Sequence, residues 1–138
     1  MDRLIEFATH HALLVAAFVL LLATLLGSSL RGTRRGALST ARGVELLNRE
    51  DAVPVDTRGE AAFRAGHIIQ AVRLDPARFE AEAKKLERFR ERPLLVYCET
   101  GMSSGKTVAR LKAAGFPKVF ELQGGIAAWR ADNLPLES

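Results

Sequence analysis

The chain has 138 residues, 48% of them apolar, 26% charged and 7% aromatic, with a formal charge of +4; that length excludes a two-domain enzyme and that balance excludes a largely disordered chain. Eleven Gly and five Pro exclude low-complexity and collagen-like sequences, and a single Cys excludes a disulfide framework and any all-Cys metal site. The charge is too mild and too evenly spread to argue for nucleic acid as a partner: residues 1–35 carry four basic and two acidic side chains, the remainder 16 and 14.

The N-terminal segment, residues 1–30, stands apart. From Phe7 to Leu30 there is no Asp, Glu, Lys or Arg over 24 residues. As a helix that stretch is about 36 Å long, enough to cross a hydrocarbon core of about 30 Å, so a single transmembrane helix is expected over 7–30, with the lipid bilayer as its partner. A buried core helix is usually amphipathic or shorter. A cleaved signal peptide needs a basic leader and a small-residue cleavage site, whereas here Arg3 stands against Asp2 and Glu6. Arg31, Arg34 and Arg35 follow the span at once, a stop-transfer pattern. By the positive-inside rule these arginines predict a single-pass protein of the inner (cell) membrane, its N-terminus outside and its C-terminal part cytoplasmic. The adjacent His10 and His11 point to different helix faces and do not suggest a joint metal site. Residues 31–36 read as a basic linker, inside a stretch from Gly27 to Leu38 rich in Gly, Ser, Thr and Arg.

Residues 37–138 read as one α/β domain. Short apolar runs predict strands over 52–56, 71–74, 94–97 and 119–122. Pro54 lacks an N–H and demotes the first of these toward a sheet edge or a bulge. Helical spacing predicts helices over 40–48, 60–64, 77–89, 104–114 and 125–131. Phe79, Ala83 and Leu86 share one face of the third. Thr107, Val108, Leu111 and Ala114 share one face of the fourth, which Gly115 and Pro117 end. Strands alternating with helices imply a central parallel sheet flanked by helices, a three-layer arrangement. Leu94-Leu95-Val96-Tyr97 shows no polar alternation and is expected at the centre, buried on both faces. Ligands in such folds bind at the carboxyl ends of strands, and the residue there is Cys98.

The segment Cys98-Glu99-Thr100-Gly101-Met102-Ser103-Ser104 is therefore the candidate site. A tight loop between strand and helix turns successive N–H groups inward to form an anion-binding nest, and the helix N-terminus adds partial positive charge. A Cys so placed is expected to have a lowered pKa. Gly101 permits the turn, and Ser103 and Ser104 offer hydroxyl donors. The bland alternative is a buried, inert Cys, which the strand–loop–helix context disfavours. Gly105-Lys106-Thr107 resembles the end of a nucleotide-binding phosphate loop, but Thr100 stands where the first Gly is required. A Cys-dependent phosphatase of the C-x5-R type requires Arg at 104, where Ser104 stands, so phosphoryl charge has no bidentate partner.

Four ordered motifs carry a family resemblance: Val55-Asp56-Thr57-Arg58 with Glu60 and Phe63; Gly66-His67-Ile68; Val96-Tyr97-Cys98 with Gly101; and Ala114-Gly115-Phe116, Val119, Leu122, Gly124-Gly125-Ile126 and Trp129. Together they resemble a single rhodanese-like (sulfurtransferase) domain, which places the domain at 37–138 behind a membrane anchor. The resemblance implies that Cys98 carries sulfane sulfur as a persulfide. It implies a small sulfur-donor anion such as thiosulfate, a thiol or protein acceptor, and neither a metal nor an organic cofactor. It further implies that backbone N–H groups from Glu99 to Ser104 hold the anion. Asp56 and Arg58 are expected to brace the fold as an ion pair, His67 to act as a turn residue, Trp129 to lie in the core, and Lys106 to be solvated.

Two departures favour an alternative, a weak or inactive recruitment module at the cytoplasmic face of the membrane. Ser103 stands where many family loops carry Arg, and Glu99 puts a negative charge beside the nucleophile.

Overall fold

A computed structural model describes residues 1–31 and 36–138, with side chains for 1–27 and 36–138. Arg34 and Arg35, on which the orientation expectation partly rests, lie outside the described residues. The chain forms two compact units, 1–35 and 36–138.

The first unit holds α1 (Asp2–His10) and α2 (Ala12–Arg31). The expected single helix over 7–30 is instead broken. His11 adopts φ −119°, ψ 37°, outside the helical region, and α1 meets the stretch Ala12–Gly27 at 91°. No Pro or Gly stands at the break, so helical spacing could not reveal it. Among the described residues no single helix is long and apolar enough to cross a membrane; the bent pair passes that test only together. The large apolar side chains of α2, including Leu13, Phe18, Leu20 and Leu26, are exposed.

The second unit is a five-stranded parallel sheet of order β1-β6-β5-β2-β4 with helices on both faces. Its strands are β1 (Ala37–Leu38), β2 (Val53–Asp56), β4 (Val72–Arg73), β5 (Leu94–Tyr97) and β6 (Val119–Leu122). A separate antiparallel ribbon pairs β3 (His67–Ile68) with β7 (Leu136–Glu137). The helices are α3 (Thr40–Arg49), α4 (Glu60–Ala65), α5 (Phe79–Ala83), α6 (Ser104–Ala113) and α7 (Gly125–Ala131). The single helix expected over 77–89 is α5 between two 3₁₀ turns, Pro76–Arg78 and Lys84–Phe89. Its apolar spacing serves α5 and the second 3₁₀ turn, where Phe79, Ala83 and Leu86 are all buried, while the first turn buries none of its residues.

The two-residue alternation of strand side chains sorts the core into two layers. On one face Leu94 and Val96 of β5 join Val53, Val55 and Val119 against Phe79, Leu86, Val108 and Leu111. On the other face Leu95 and Tyr97 join Leu122 against Leu46 of α3 and Ile126 and Trp129 of α7. This central, doubly covered position explains why β5 reads as an uninterrupted apolar run.

Pro54 does not put β2 at an edge: β2 lies between β5 and β4. The N–H groups of Val53 and Thr57 donate to Pro93 and Tyr97 on the β5 side, and the Asp56 carbonyl accepts from Leu74 on the β4 side. By alternation the Pro54 nitrogen faces β4, which pairs only with Val55 and Asp56. The missing donor therefore falls one residue before the ladder begins.

Candidate active site

Parallel register sets the site. Asp56 lies beside Tyr97 at the carboxyl ends of β2 and β5, and both the Thr57 N–H and its hydroxyl donate to the Tyr97 carbonyl at 3.0 Å. The chain after β2 and the chain after β5 thus emerge side by side, bringing Arg58 to Glu99.

Residues 98–103 form an irregular loop from β5 into α6. Its carbonyls are gripped by the start of α7: Ile126 N–H donates to Cys98 O at 2.9 Å, and Ala127 N–H to Glu99 O at 3.0 Å. That approach requires Gly125, which has φ +62°; a Cβ there would stand 2.4 Å from Cys98 O. Gly101 has φ +85°, and a Cβ on it would lie 3.1 Å from the Gly124 nitrogen. Two glycines far apart in sequence therefore let two turns pack backbone to backbone.

Cys98 is 4% exposed. Gly101 N–H donates to its Sγ at 3.0 Å, and the thiol donates to Ser104 Oγ at 3.5 Å. Ser104 is fully buried and donates in turn to Glu121 Oε1 of β6 at 2.9 Å. Burial pushes the thiol pKa up, but hydrogen bonding with the side chains and backbone of Ser104 and Ser103 outweighs it and lowers the value from 9.0 to about 7. A substantial thiolate fraction at neutral pH is the chemical requirement for a sulfur nucleophile.

Thr100, Met102 and Ser103 are exposed, and Gly101 is half-buried at the mouth of the loop. Glu99 is half-exposed, and its charge does not stand alone. Arg58 Nη1 lies 3.2 Å from Oε2 and Arg130 Nη1 3.0 Å from Oε1. Two guanidinium groups thus hold the carboxylate that the sequence places beside Cys98, and they bring positive charge to the rim. Arg130 carries no sequence signal, since it is one of several arginines on exposed helix faces. Glu121 had a legible one: a carboxylate inside an otherwise apolar strand.

Behind the loop, Arg58 and Asp56 form a buried ion pair. The Arg58 backbone N–H and Nε and Nη2 of its guanidinium all donate to the Asp56 carboxylate at 2.8–3.1 Å, and Nη2 also reaches the Gly66 carbonyl at 2.6 Å. His67 stands apart in the β3–β7 ribbon. Its Nδ1 is 2.7 Å from the Phe63 carbonyl, its ring stacks on Phe63, and its Nε2 is 3.4 Å from Glu137 Oε1. Tyr97 is fully buried, and its hydroxyl accepts from the Ile68 N–H at 3.2 Å. Lys106 is exposed on α6. Among the described residues no cluster of His, Cys, Asp and Glu could hold a metal ion.

Known proteins resemble this chain in sequence and in fold. The protein YibN of Escherichia coli K12 is 34% identical over 139 residues, covering 99% of this chain and 97% of that one. Thiosulfate sulfurtransferase GlpE of Coxiella burnetii (strain RSA 493 / Nine Mile phase I) is 34% identical over 89 residues, covering 64% of this chain and 81% of GlpE. Among solved structures, the Alr3790 protein from Anabaena sp. superposes with a TM-score of 0.65 at 28% identity, covering 73% of this chain and 82% of that one. A rhodanese-related protein from Thermoplasma volcanium shares the fold, with the same TM-score at 23% identity, covering 73% of this chain and 96% of that one. The family model for the rhodanese-like domain matches residues 40–132, which run from the start of α3 to just past α7 and enclose the whole Cys98 loop. By the order of its strands, the loop at the end of β5 and this match, the chain belongs to the rhodanese-like domain family.

Proposed function

We propose that this protein is a membrane-anchored sulfurtransferase that carries sulfane sulfur on Cys98. The observation that carries the reading is the buried Cys98 sulfur at the mouth of an anion-accepting loop, with its pKa brought down to about 7. The Cys98 thiolate attacks the outer sulfur of a donor such as thiosulfate. A bond forms between Sγ and that sulfur, the donor's sulfur–sulfur bond breaks, and sulfite leaves with the electron pair. A thiol or protein nucleophile then attacks the outer sulfur, the Sγ–S bond breaks, and Cys98 departs as the thiolate. Gly101 N–H, already 3.0 Å from Sγ, is placed to stabilise the charge at both stages. The step needs no organic cofactor. Thiosulfate sulfurtransferase GlpE, similar over most of the domain, supports the choice of donor class.

Membrane attachment rests on residues 7–30. Apart from Thr24, side chains from Leu13 to Leu26 are apolar, and all are exposed, a surface that water does not favour and a bilayer does. The arginine bias after the segment favours an outside N-terminus and a cytoplasmic domain at the inner membrane.

The test is intact-mass measurement of the full chain in detergent after incubation with thiosulfate. A gain of one sulfur atom, reversed by cyanide or a reducing thiol and absent in Cys98→Ser, is expected. No gain, or an equal gain in Cys98→Ser, overturns the reading in favour of a recruitment module.

A further inference from the structure

The two helices of the first unit sort their residues differently. In α2 the sorting runs along the axis: no Asp, Glu, Lys or Arg stands from Ala12 to Leu30, and Arg31 ends the helix. In α1 it runs around the axis. At about 100° per residue, Phe7, Leu4, Ala8 and Ile5 occupy one unbroken arc of about 160°, and Thr9, Asp2, Glu6, His10 and Arg3 share the opposite side. A helix along the membrane normal puts successive turns at different depths, so its composition changes along its length. A helix in the membrane plane puts one face among the acyl chains and the other in water, so its composition changes around it. The two helices meet at 91°, which lets each meet one bilayer in its own way. The corner is held on both sides of His11. Its N–H donates to the Phe7 carbonyl at 3.0 Å, its carbonyl accepts from Val15 at 3.0 Å, and its ring lies 4.9 Å from that of Phe7.

We propose that α1 is an interfacial helix that lies along the bilayer surface, with Leu4, Ile5, Phe7 and Ala8 facing the acyl boundary while α2 enters the hydrocarbon. The proposal rests on the membrane-attachment reading and adds that the anchor has two parts, the charge-free segment entering the hydrocarbon at Ala12 rather than at Phe7. It holds whichever side of the membrane α1 occupies.

The helix needs such a surface. Nine residues are too few for a helix to persist by itself in water. α1 has no side-chain cap at its N-terminus and buries none of its residues; Leu4, Ile5 and Phe7 are 72%, 62% and 61% exposed. This apolar face is continuous along the chain with the exposed apolar surface of α2, whose cover is lipid in the reading above. Charge narrows the mode of binding. The polar face sets Asp2 and Glu6 against Arg3, so attraction to anionic headgroups does not drive it. Burial of the apolar face does, and a zwitterionic bilayer is sufficient.

The test uses the full chain with Cys98→Ser, reconstituted in phosphatidylcholine vesicles with and without phosphatidylglycerol. Single cysteines carrying a nitroxide are introduced as Arg3→Cys, Leu4→Cys, Glu6→Cys, Phe7→Cys, Ala8→Cys and His10→Cys, and within α2 as Leu20→Cys. Collision with oxygen, which concentrates in lipid, and with a water-soluble nickel chelate reads the depth of each label. Labels at 4, 7 and 8 are expected about 5–10 Å below the headgroup boundary and those at 3, 6 and 10 in water. The pattern is expected to be the same in both lipid mixtures. Adding Phe7→Glu is expected to move the label at 8 into water and leave the label at 20 in lipid. Equal exposure of all six α1 labels to the chelate overturns the proposal, and so does a depth that changes steadily from 3 to 10. A pattern seen only with phosphatidylglycerol overturns it as well. Labels at 4, 7 and 8 shielded from both reagents would mean that protein, a second copy included, covers the face, and would overturn it too. In each of these outcomes a lipid-embedded label at 20 leaves membrane attachment standing. A label at 20 that collides freely with the chelate overturns membrane attachment and this proposal together.

Discussion

Glu99 and Arg130 form an ion pair at 3.0 Å across the rim of the Cys98 loop, joining the residue after Cys98 to the last turn of α7. Arg58 completes the bridge from below at 3.2 Å. The carboxylate that looked hostile to an anionic donor is thus one member of a three-residue charge cluster. Its two arginines differ in kind, because Arg58 is buried and Arg130 is half-exposed.

Arg130→Ala should therefore leave the fold nearly untouched, since an exposed pair contributes about 1 kcal/mol or less. Losing that cation from the rim should raise KM for thiosulfate a few-fold with kcat little changed. Steady-state kinetics at low and high salt check this, and the difference should shrink at high salt.

Arg58→Ala should behave otherwise. It leaves the Asp56 carboxylate buried without its cation, a loss of about 3–5 kcal/mol. Arg58→Lys should rescue little, because one ammonium cannot reproduce the guanidinium contacts to Asp56 and the Gly66 carbonyl. Chemical denaturation of the two variants measures both effects.

Gly125→Ala should disable the loop. The new Cβ would collide with the Cys98 carbonyl at 2.4 Å and adopt φ +62°. At least about 2 kcal/mol of stability should be lost, and sulfur loading should fall even at temperatures where the variant is folded. Intact-mass loading alongside thermal unfolding separates the two effects.

The lowered Cys98 pKa predicts a signed pH dependence of stability. The unfolded thiol titrates near 9.0 and the folded one near 7. The folded state thus binds fewer protons between these values, and stability from this group grows as pH rises. It is fully present above about pH 9 and lost as pH falls through about 7. Relative to Cys98→Ser, the wild type should gain about 2–3 kcal/mol between pH 6 and pH 9.5. Denaturation curves of the pair at both pH values check it; a difference that shrinks with rising pH contradicts the assignment.

Removing residues 1–30 should release the protein from the membrane fraction into the soluble fraction. A reporter fused after Ser138 should be active only in the cytoplasm. Activity confined to the outside would reverse the orientation inferred from Arg31, Arg34 and Arg35.

Much of this was legible in the residues. The run Leu94–Tyr97 read as a strand buried on both faces, with Cys98 at its carboxyl end, and it is one. The closing Gly124-Gly125 marked a tight turn, and the order of motifs pointed to the family. These features are local: periodicity, backbone freedom and adjacency are properties of short stretches. Tertiary structure alone decided the rest. Parallel register put Arg58 beside Glu99 across 41 residues, and the packing of α6 on β6 brought Ser104 to Glu121 across 17. It also turned the Pro54 nitrogen to the β4 side one residue before the β2–β4 ladder begins, so that a residue read as an edge marker stands in an interior strand. Which charges meet is set by strand order and register, and those depend on how separate segments bury their apolar faces against one another.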